Sequence, residues 1–307
     1  MQRYRRIALA ILSGYGIWQA AFPDSVPGEA VISCAAAIST SDERYDKRLA
    51  IIVPYRDRAA HLREFLPHII TYFARDKLDR HISVSVHIIE QVAGAPFNRG
   101  IIKNCGYRLV RDKVDYVCFH DVDYLPVWAD YSWSAQPCRL IWHGLTLSED
   151  WEQFFGGVVL FDKADFERVN GYSNAYWGWG PEDLELRARC NIAGLNINHR
   201  DGTYQSLAHV HAGFSAPGIY TEEAKRTIAI WDGRIHRLRE VMASDGLSSC
   251  EFKLVKSRRI SVNGNKNPPI VHYLVDIGDE VKTAATNLTD RYRHLLAAEI
   301  GDPRKLS

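Results

Sequence analysis

The stretch Arg48-Leu49-Ala50-Ile51-Ile52-Val53-Pro54 decides the fold class. A short, unbroken apolar run stopped by proline predicts a strand buried on both faces of a parallel sheet. Helical spacing follows over Ala59 to Phe73, where Leu62, Phe65, Leu66, Ile69, Ile70 and Phe73 share one face. Ser83 to Gln91 predicts a second strand, Asn98 to Val110 a second helix, and Tyr116 to Phe119 a third strand. That alternation predicts an α/β domain with a mainly parallel central sheet. Further on, Phe155 to Phe161 and Ile270 to Ile277 are expected strands. Lys163 to Val169, Pro181 to Ala193 and Asp279 to Ile300 are expected helices. The chain divides into an apolar segment and linker (1–47), a main α/β domain (48–278) and a helical extension (279–307).

The composition excludes several classes. The 307 residues carry a net charge of +1, so no basic excess argues for nucleic acid. Eight Trp and fifteen Tyr supply faces for sugar stacking, although core packing uses the same residues. Cys34, Cys105, Cys118, Cys138, Cys190 and Cys250 form no C-x-x-C pair, which argues against a zinc ribbon or redox motif. They read as small buried apolar residues. Arg3, Arg5 and Arg6 precede an apolar stretch from Ile7 to Phe22 that ends at Pro23. It is short beside the roughly 20 residues of a spanning helix. It reads either as a targeting or membrane-associating segment or as a helix packed on the domain. Compartment stays open between the cytoplasmic side of a bacterial membrane and a Golgi lumen.

In open α/β sheets, ligands bind beyond the carboxyl ends of the strands. Two motifs fall there, Pro54-Tyr55-Arg56-Asp57-Arg58 and His120-Asp121-Val122-Asp123. On an extended segment Asp121 and Asp123 point the same way. His209 and His211 have the same spacing. Hard carboxylate oxygens with borderline imidazole nitrogens suit a divalent ion such as manganese. Arg56 and Arg58 bring forks that suit a diphosphate, or else pair with Asp57 and Glu64 on the surface. Trp179-Gly180-Pro181-Glu182-Asp183 opens a helix. Its acids either complement the helix dipole or include a base for an acceptor hydroxyl, with Trp179 over a sugar ring. The set as a whole suits a metal-held nucleotide sugar facing an acceptor.

In order along the chain stand Pro54 to Arg58, Phe97-Asn98-Arg99-Gly100, Asp121-Val122-Asp123, Phe155-Gly156-Gly157 and Tyr176 to Asp183. Ser244-Asp245-Gly246-Leu247-Ser248-Ser249 and Val275-Asp276-Ile277-Gly278 follow. This series resembles the β-1,4-galactosyltransferases, glycosyltransferase family 7, over residues 48 to 278. His120 to Asp123, His209-Val210-His211 and Ser261-Val262-Asn263-Gly264 are most similar to the xylosylprotein 4-β-galactosyltransferase branch. The resemblance implies a GT-A fold, a UDP-galactose donor, a glycan acceptor, Mn²⁺ and inversion at the anomeric carbon. It implies Asp123, His209 and His211 as Mn²⁺ ligands and Asp121 as a donor-sugar contact. Pro54, Tyr55, Arg56, Arg58, Phe97 and Arg99 would form the uridine and diphosphate pocket, with Phe154 beside the donor. Trp179 would bridge donor and acceptor, Asp183 would be the base, and Glu182 would assist it.

Three positions depart from the family pattern. Leu184 stands where a third acid is usual, Phe154 where Tyr is common, and Pro181 where Gly or Arg is common. Loss of the hydroxyl at Phe154 leaves UDP-GalNAc or another UDP-hexose open as donor. A non-catalytic protein that binds sugar nucleotides is the alternative from a different class, and a metal-dependent hydrolase is more distant.

Overall fold

The structure, a computed structural model, describes residues 32–33, 46–75, 82–141, 154–208, 213–216, 219–262 and 264–278. The segment 7–22, Cys34, His209, His211 and the helix expected from Asp279 to Ile300 lie outside these residues. After β1 (Ile32–Ser33), the decisive apolar run forms β2 (Lys47–Tyr55). Its side chains alternate between two cores. Leu49, Ile51 and Val53 join Phe65, Leu66, Ile69 and Ile70 of α1 (Ala59–Arg75). On the other face, Ala50 and Ile52 join Ile101, Ile102 and Cys105. Burial on both faces is the reason Leu49 to Val53 contains no polar residue.

β3 (Ile82–Gln91) precedes α2 (Arg99–Val110), and β4 (Tyr116–His120) precedes β5 (Tyr124–Ala129). β6 (Cys138–Arg139), β7 (Val158–Asp162), α3 (Lys163–Arg168) and α4 (Glu182–Ile192) follow. Next come β8 (Asn198–His199), β9 (Gly202–Ser206), β10 (Phe214–Ala216) and β11 (Ile219–Tyr220). α5 (Glu222–Arg234), α6 (Leu238–Ser244), β12 (Lys253–Val262) and β13 (Asn265–Asp276) complete the order.

The main sheet runs β1-β12-β13-β3-β2-β4-β7-β6-β8. Its centre, β13-β3-β2-β4, is parallel throughout, as expected. β12 joins one side antiparallel and β7 the other. α1, which follows β2, packs on one face of the sheet, and α2, which follows the neighbouring β3, packs on the other, so the two connections part and open a crevice at the carboxyl ends. The strand expected from Phe155 begins only at Val158. Gly157, at φ +73°, turns the chain where a side chain would strike Ile141, and so delays the strand. The five described cysteines are buried thiols with no disulfide among them. Among the described residues, no helix is long and apolar enough to cross a membrane.

A buried ionic network fixes the approach to α4. Glu185, fully buried, bonds Arg189 at 2.7 Å and Arg234 at 3.0 Å. Both arginines also reach Asp245. Tyr176 donates its hydroxyl to Glu185, and Asp245 accepts from the Ser173 hydroxyl and the Asn174 amide. The segment 173–176 is thereby tied to α4 and to the start of the Asp245-Gly246 turn. Burial raises the Glu185 acid, but Arg189 and Arg234 outweigh it and hold the group at about 2. This folded value lies below the ordinary one, so its stabilisation is present above about pH 4.5 and fades as pH falls toward 2. Breaking a buried pair by removing one partner costs about 3–5 kcal/mol. Arg234→Met is therefore expected to lower the calorimetric melting temperature at pH 7 markedly; an unchanged melt would contradict this role.

Candidate active site

The site is built where α2, the turn after β4 and the start of α4 converge. Asn98 caps α2 by accepting from the Ile101 amide at 3.0 Å, while its own side-chain amide donates to the Asn174 carbonyl at 2.8 Å. Its backbone N–H donates to the Gln91 side chain at 2.8 Å. These bonds set the first turn of α2 at the carboxyl end of β3, and Arg99 emerges from that turn.

Arg99 gathers three carboxylates. Its Nη1 lies 2.9 Å from Asp121, its Nη2 lies 2.8 Å from Asp183, and its Nε pairs with Glu182. Lys103, one turn later, stands 3.3 Å from the other Asp183 oxygen. Glu182 and Asp183 are buried in the first turn of α4. Burial raises the acids of Asp121 and Glu182, and Arg99 offsets this only in part. For Arg99 itself the three carboxylates outweigh burial and raise its pKa. Asp121 Oδ1 is buried with no hydrogen-bond partner among the described residues. A buried acceptor in that condition calls for a ligand donor or a water.

Two departures from expectation appear here. Asp121 and Asp123 do not lie on an extended segment: the Tyr124 amide bonds the Asp121 carbonyl at 3.3 Å, closing a turn between β4 and β5. The same-side argument from strand geometry therefore fails for this pair. Arg99, expected in the diphosphate pocket, is committed with all three guanidinium nitrogens to carboxylates.

The remaining candidates surround this cluster. Pro54 and Tyr55 end β2, buried at the carboxyl edge. Arg56 donates to the Ala95 carbonyl and lies over the Phe97 ring at 5.4 Å. Phe97 accepts from the Gly178 amide at 2.6 Å, which ties the Trp177-Gly178-Trp179 loop to the same edge. The Arg58 carbonyl accepts from Leu62 at the start of α1. Trp179 is half-buried among Phe214 and Tyr220, with ring centres 6.2 and 6.0 Å away. A side chain at Gly213 would strike its indole. Phe154 accepts at its carbonyl from Arg139 at 2.7 Å and borders Gly156. A side chain at Gly156 would overlap the Asp183 carboxylate, so that glycine admits the acid. The structure places Asp123 in the turn after β4, but His209 and His211 are not among the described residues. No group of three metal-ligating side chains converges among those described.

Sequence reading missed Lys103, Tyr172 and the Phe214–Tyr220 pair. The spacing of Arg99 and Lys103, four residues apart in a helix, is the signal that could have found the first. Arg99→Met would leave the buried acids facing Lys103 alone. The expected outcome is a lower melting temperature at pH 7, with the deficit shrinking as pH falls and the raised acids protonate. A deficit independent of pH would contradict the electrostatic role.

Comparisons with known proteins bear on the family and the fold. Residues 29–133 match the family profile described as the N-terminal region of glycosyl transferase group 7. Residues 143–212 match the profile described as the N-terminal domain of galactosyltransferase. The chain is 35% identical over 172 residues to β-1,4-galactosyltransferase 7 of Drosophila melanogaster, covering 53% of this chain and 52% of that one. It is 31% identical over 242 residues to human β-1,4-galactosyltransferase 4, covering 75% of this chain and 63% of that one. The chain thus spans between half and two thirds of the length of these relatives. The crystal structure of the Drosophila β-1,4-galactosyltransferase 7 catalytic domain with xylobiose superposes at a TM-score of 0.57 and 26% identity. That match covers 77% of this chain and 97% of the other. A mutant of that enzyme, solved with manganese, UDP-Gal and xylobiose, superposes at 0.56 and 24% identity over the same shares. The fold is the GT-A type of these enzymes. On these matches the chain belongs to glycosyltransferase group 7, the β-1,4-galactosyltransferase family.

Proposed function

We propose that this chain is an inverting hexosyltransferase that moves galactose from UDP-galactose to a hydroxyl of a glycan acceptor. The observation that carries the reading is the Arg99-centred cluster, which presents three buried carboxylates at the carboxyl edge of the sheet. Asp183 is the base. Each of its oxygens meets a cation, which fixes the carboxylate in place at the carboxyl edge. The acceptor oxygen passes its proton to Asp183 and bonds the anomeric carbon. The bond from that carbon to the diphosphate breaks, and UDP leaves with the electron pair. Glu182, paired to Arg99, keeps the guanidinium in place and lines the acceptor side. The unpaired Asp121 oxygen accepts from a hydroxyl of the donor sugar.

Tyr55, Arg56 and Phe97, with Pro54 and Arg58, form the wall for uridine and diphosphate. Trp179 lies across the sugars, with Phe154 on the donor side. Arg99 acts by organising the acids rather than by gripping phosphate. One carboxylate and two imidazoles, Asp123 with His209 and His211, have the donor chemistry for Mn²⁺. When bound there, the ion supplies charge neutralisation for the leaving diphosphate.

The test is thermal stabilisation by a panel of UDP-hexoses with and without Mn²⁺, in wild type and Asp123→Ala. Stabilisation by UDP-galactose that needs Mn²⁺ and disappears in the variant is expected. Stabilisation by UDP-GalNAc instead would reassign the donor and point to Phe154. A folded protein that responds to no UDP-sugar would overturn the reading.

A further inference from the structure

Lys103 is a buried cation inside the acid cluster that substrate recognition does not explain. It sits one turn after Arg99, so both side chains leave the same face of α2. The residue is 1% exposed. Its ammonium stands 3.3 Å from Asp183 Oδ1, 3.5 Å from the Tyr172 hydroxyl and 4.5 Å from the centre of the Tyr172 ring. Arg99 takes the opposite oxygen, Oδ2, at 2.8 Å. A buried ammonium is costly unless paired, and here its carboxylate partner is Asp183.

The groups facing Asp183 come from every side. Arg99 and Lys103 come from α2, and Asp121 from the turn after β4. Glu182 comes from its own helix, and Tyr172 from the segment before it. Two of these are acids that repel the Asp183 carboxylate, and Arg99 is shared among three carboxylates. Lys103 supplies the charge that Arg99 alone divides.

We propose that Lys103 is a positioning residue that holds the Asp183 carboxylate in one orientation, ready for the acceptor's proton. This rests on the reading of Asp183 as the base. Lys103 makes no bond to either substrate: the proton passes from the acceptor hydroxyl to Asp183, and the ammonium holds the carboxylate before and during that transfer. Removing the ammonium therefore affects turnover rather than donor binding.

The experiment compares wild type, Lys103→Met, Lys103→Arg, Tyr172→Phe and Asp183→Asn with UDP-galactose and Mn²⁺. UDP release is followed against pH, with a panel of xylosides and N-acetylglucosaminides as acceptors and water where none is faster. Lys103→Met is expected to lose about tenfold or more in kcat near pH 7. The donor KM should stay nearly unchanged. Lys103→Arg should restore part of the rate. Tyr172→Phe, which loosens the ammonium without removing it, should lower kcat by less, again with the donor KM nearly unchanged, and it serves if the Met variant does not fold. A folded Lys103→Met with wild-type kcat, or with a loss carried by the donor KM, overturns the proposal, as does a wild-type kcat in Tyr172→Phe where the Met variant does not fold. Asp183→Asn separates the two readings. If it keeps its rate, the base assignment falls. If it loses its rate while Lys103→Met keeps its own, only the role of Lys103 falls.

Discussion

One guanidinium shared among three carboxylates is the constraint on which this molecule depends. Asp121, Glu182 and Asp183 come from two separate elements, and like charges in a buried site repel. Arg99 reaches all three from the first turn of α2. That turn is fixed in turn by Asn98, which caps the helix and bonds the segment leading to α4. The second network, around Glu185, Arg189, Arg234 and Asp245, lies behind the site and holds the same segment from the other side. The protein thus spends its buried charge at two adjacent points, one that forms the site and one that supports its backbone.

The fold supplies the rest of the geometry. β2 and β3 are neighbours in the parallel centre, and the helices that follow them pack on opposite faces, so the carboxyl edge opens between them. Arg56, Phe97 and Gly178 line that edge through one ring contact and one backbone hydrogen bond. Glycine at 156 and 213 lets the Asp183 carboxylate and the Trp179 indole lie directly against backbone. Chemistry and packing meet at these glycines: a methyl group at either would displace a functional side chain rather than merely crowd a core.

Much of this was legible in the sequence. A strand buried on both faces must be apolar without interruption, and Arg48 to Pro54 declared β2 for that reason. The face of α1 was plain because one side meets the core and the other meets solvent. α2 was harder to read. Its cap Asn98 and its residues Lys103 and Asn104 are buried and Arg99 is half-buried, although such polar residues ordinarily face water. Their partners lie far along the chain: Arg99 meets acids 22, 83 and 84 residues away. No local pattern encodes such pairings, so the sequence shows neither the partners of Arg99, which only the family resemblance places near the diphosphate, nor the part of Lys103. The turn at Asp121 to Asp123 was likewise invisible, because an aspartate pair spaced by one residue looks the same in a strand and in a turn.

The central claim is that Asp183, held by Arg99 and Lys103, acts only as a proton acceptor in a direct displacement at the anomeric carbon. The most direct measurement is the anomeric configuration of the transferred sugar, determined by NMR of the product formed from α-linked UDP-galactose. A β-linked product is predicted, since a single displacement inverts the carbon. An α-linked product would require a nucleophile of the enzyme itself between donor and acceptor, and would contradict the role assigned to the cluster.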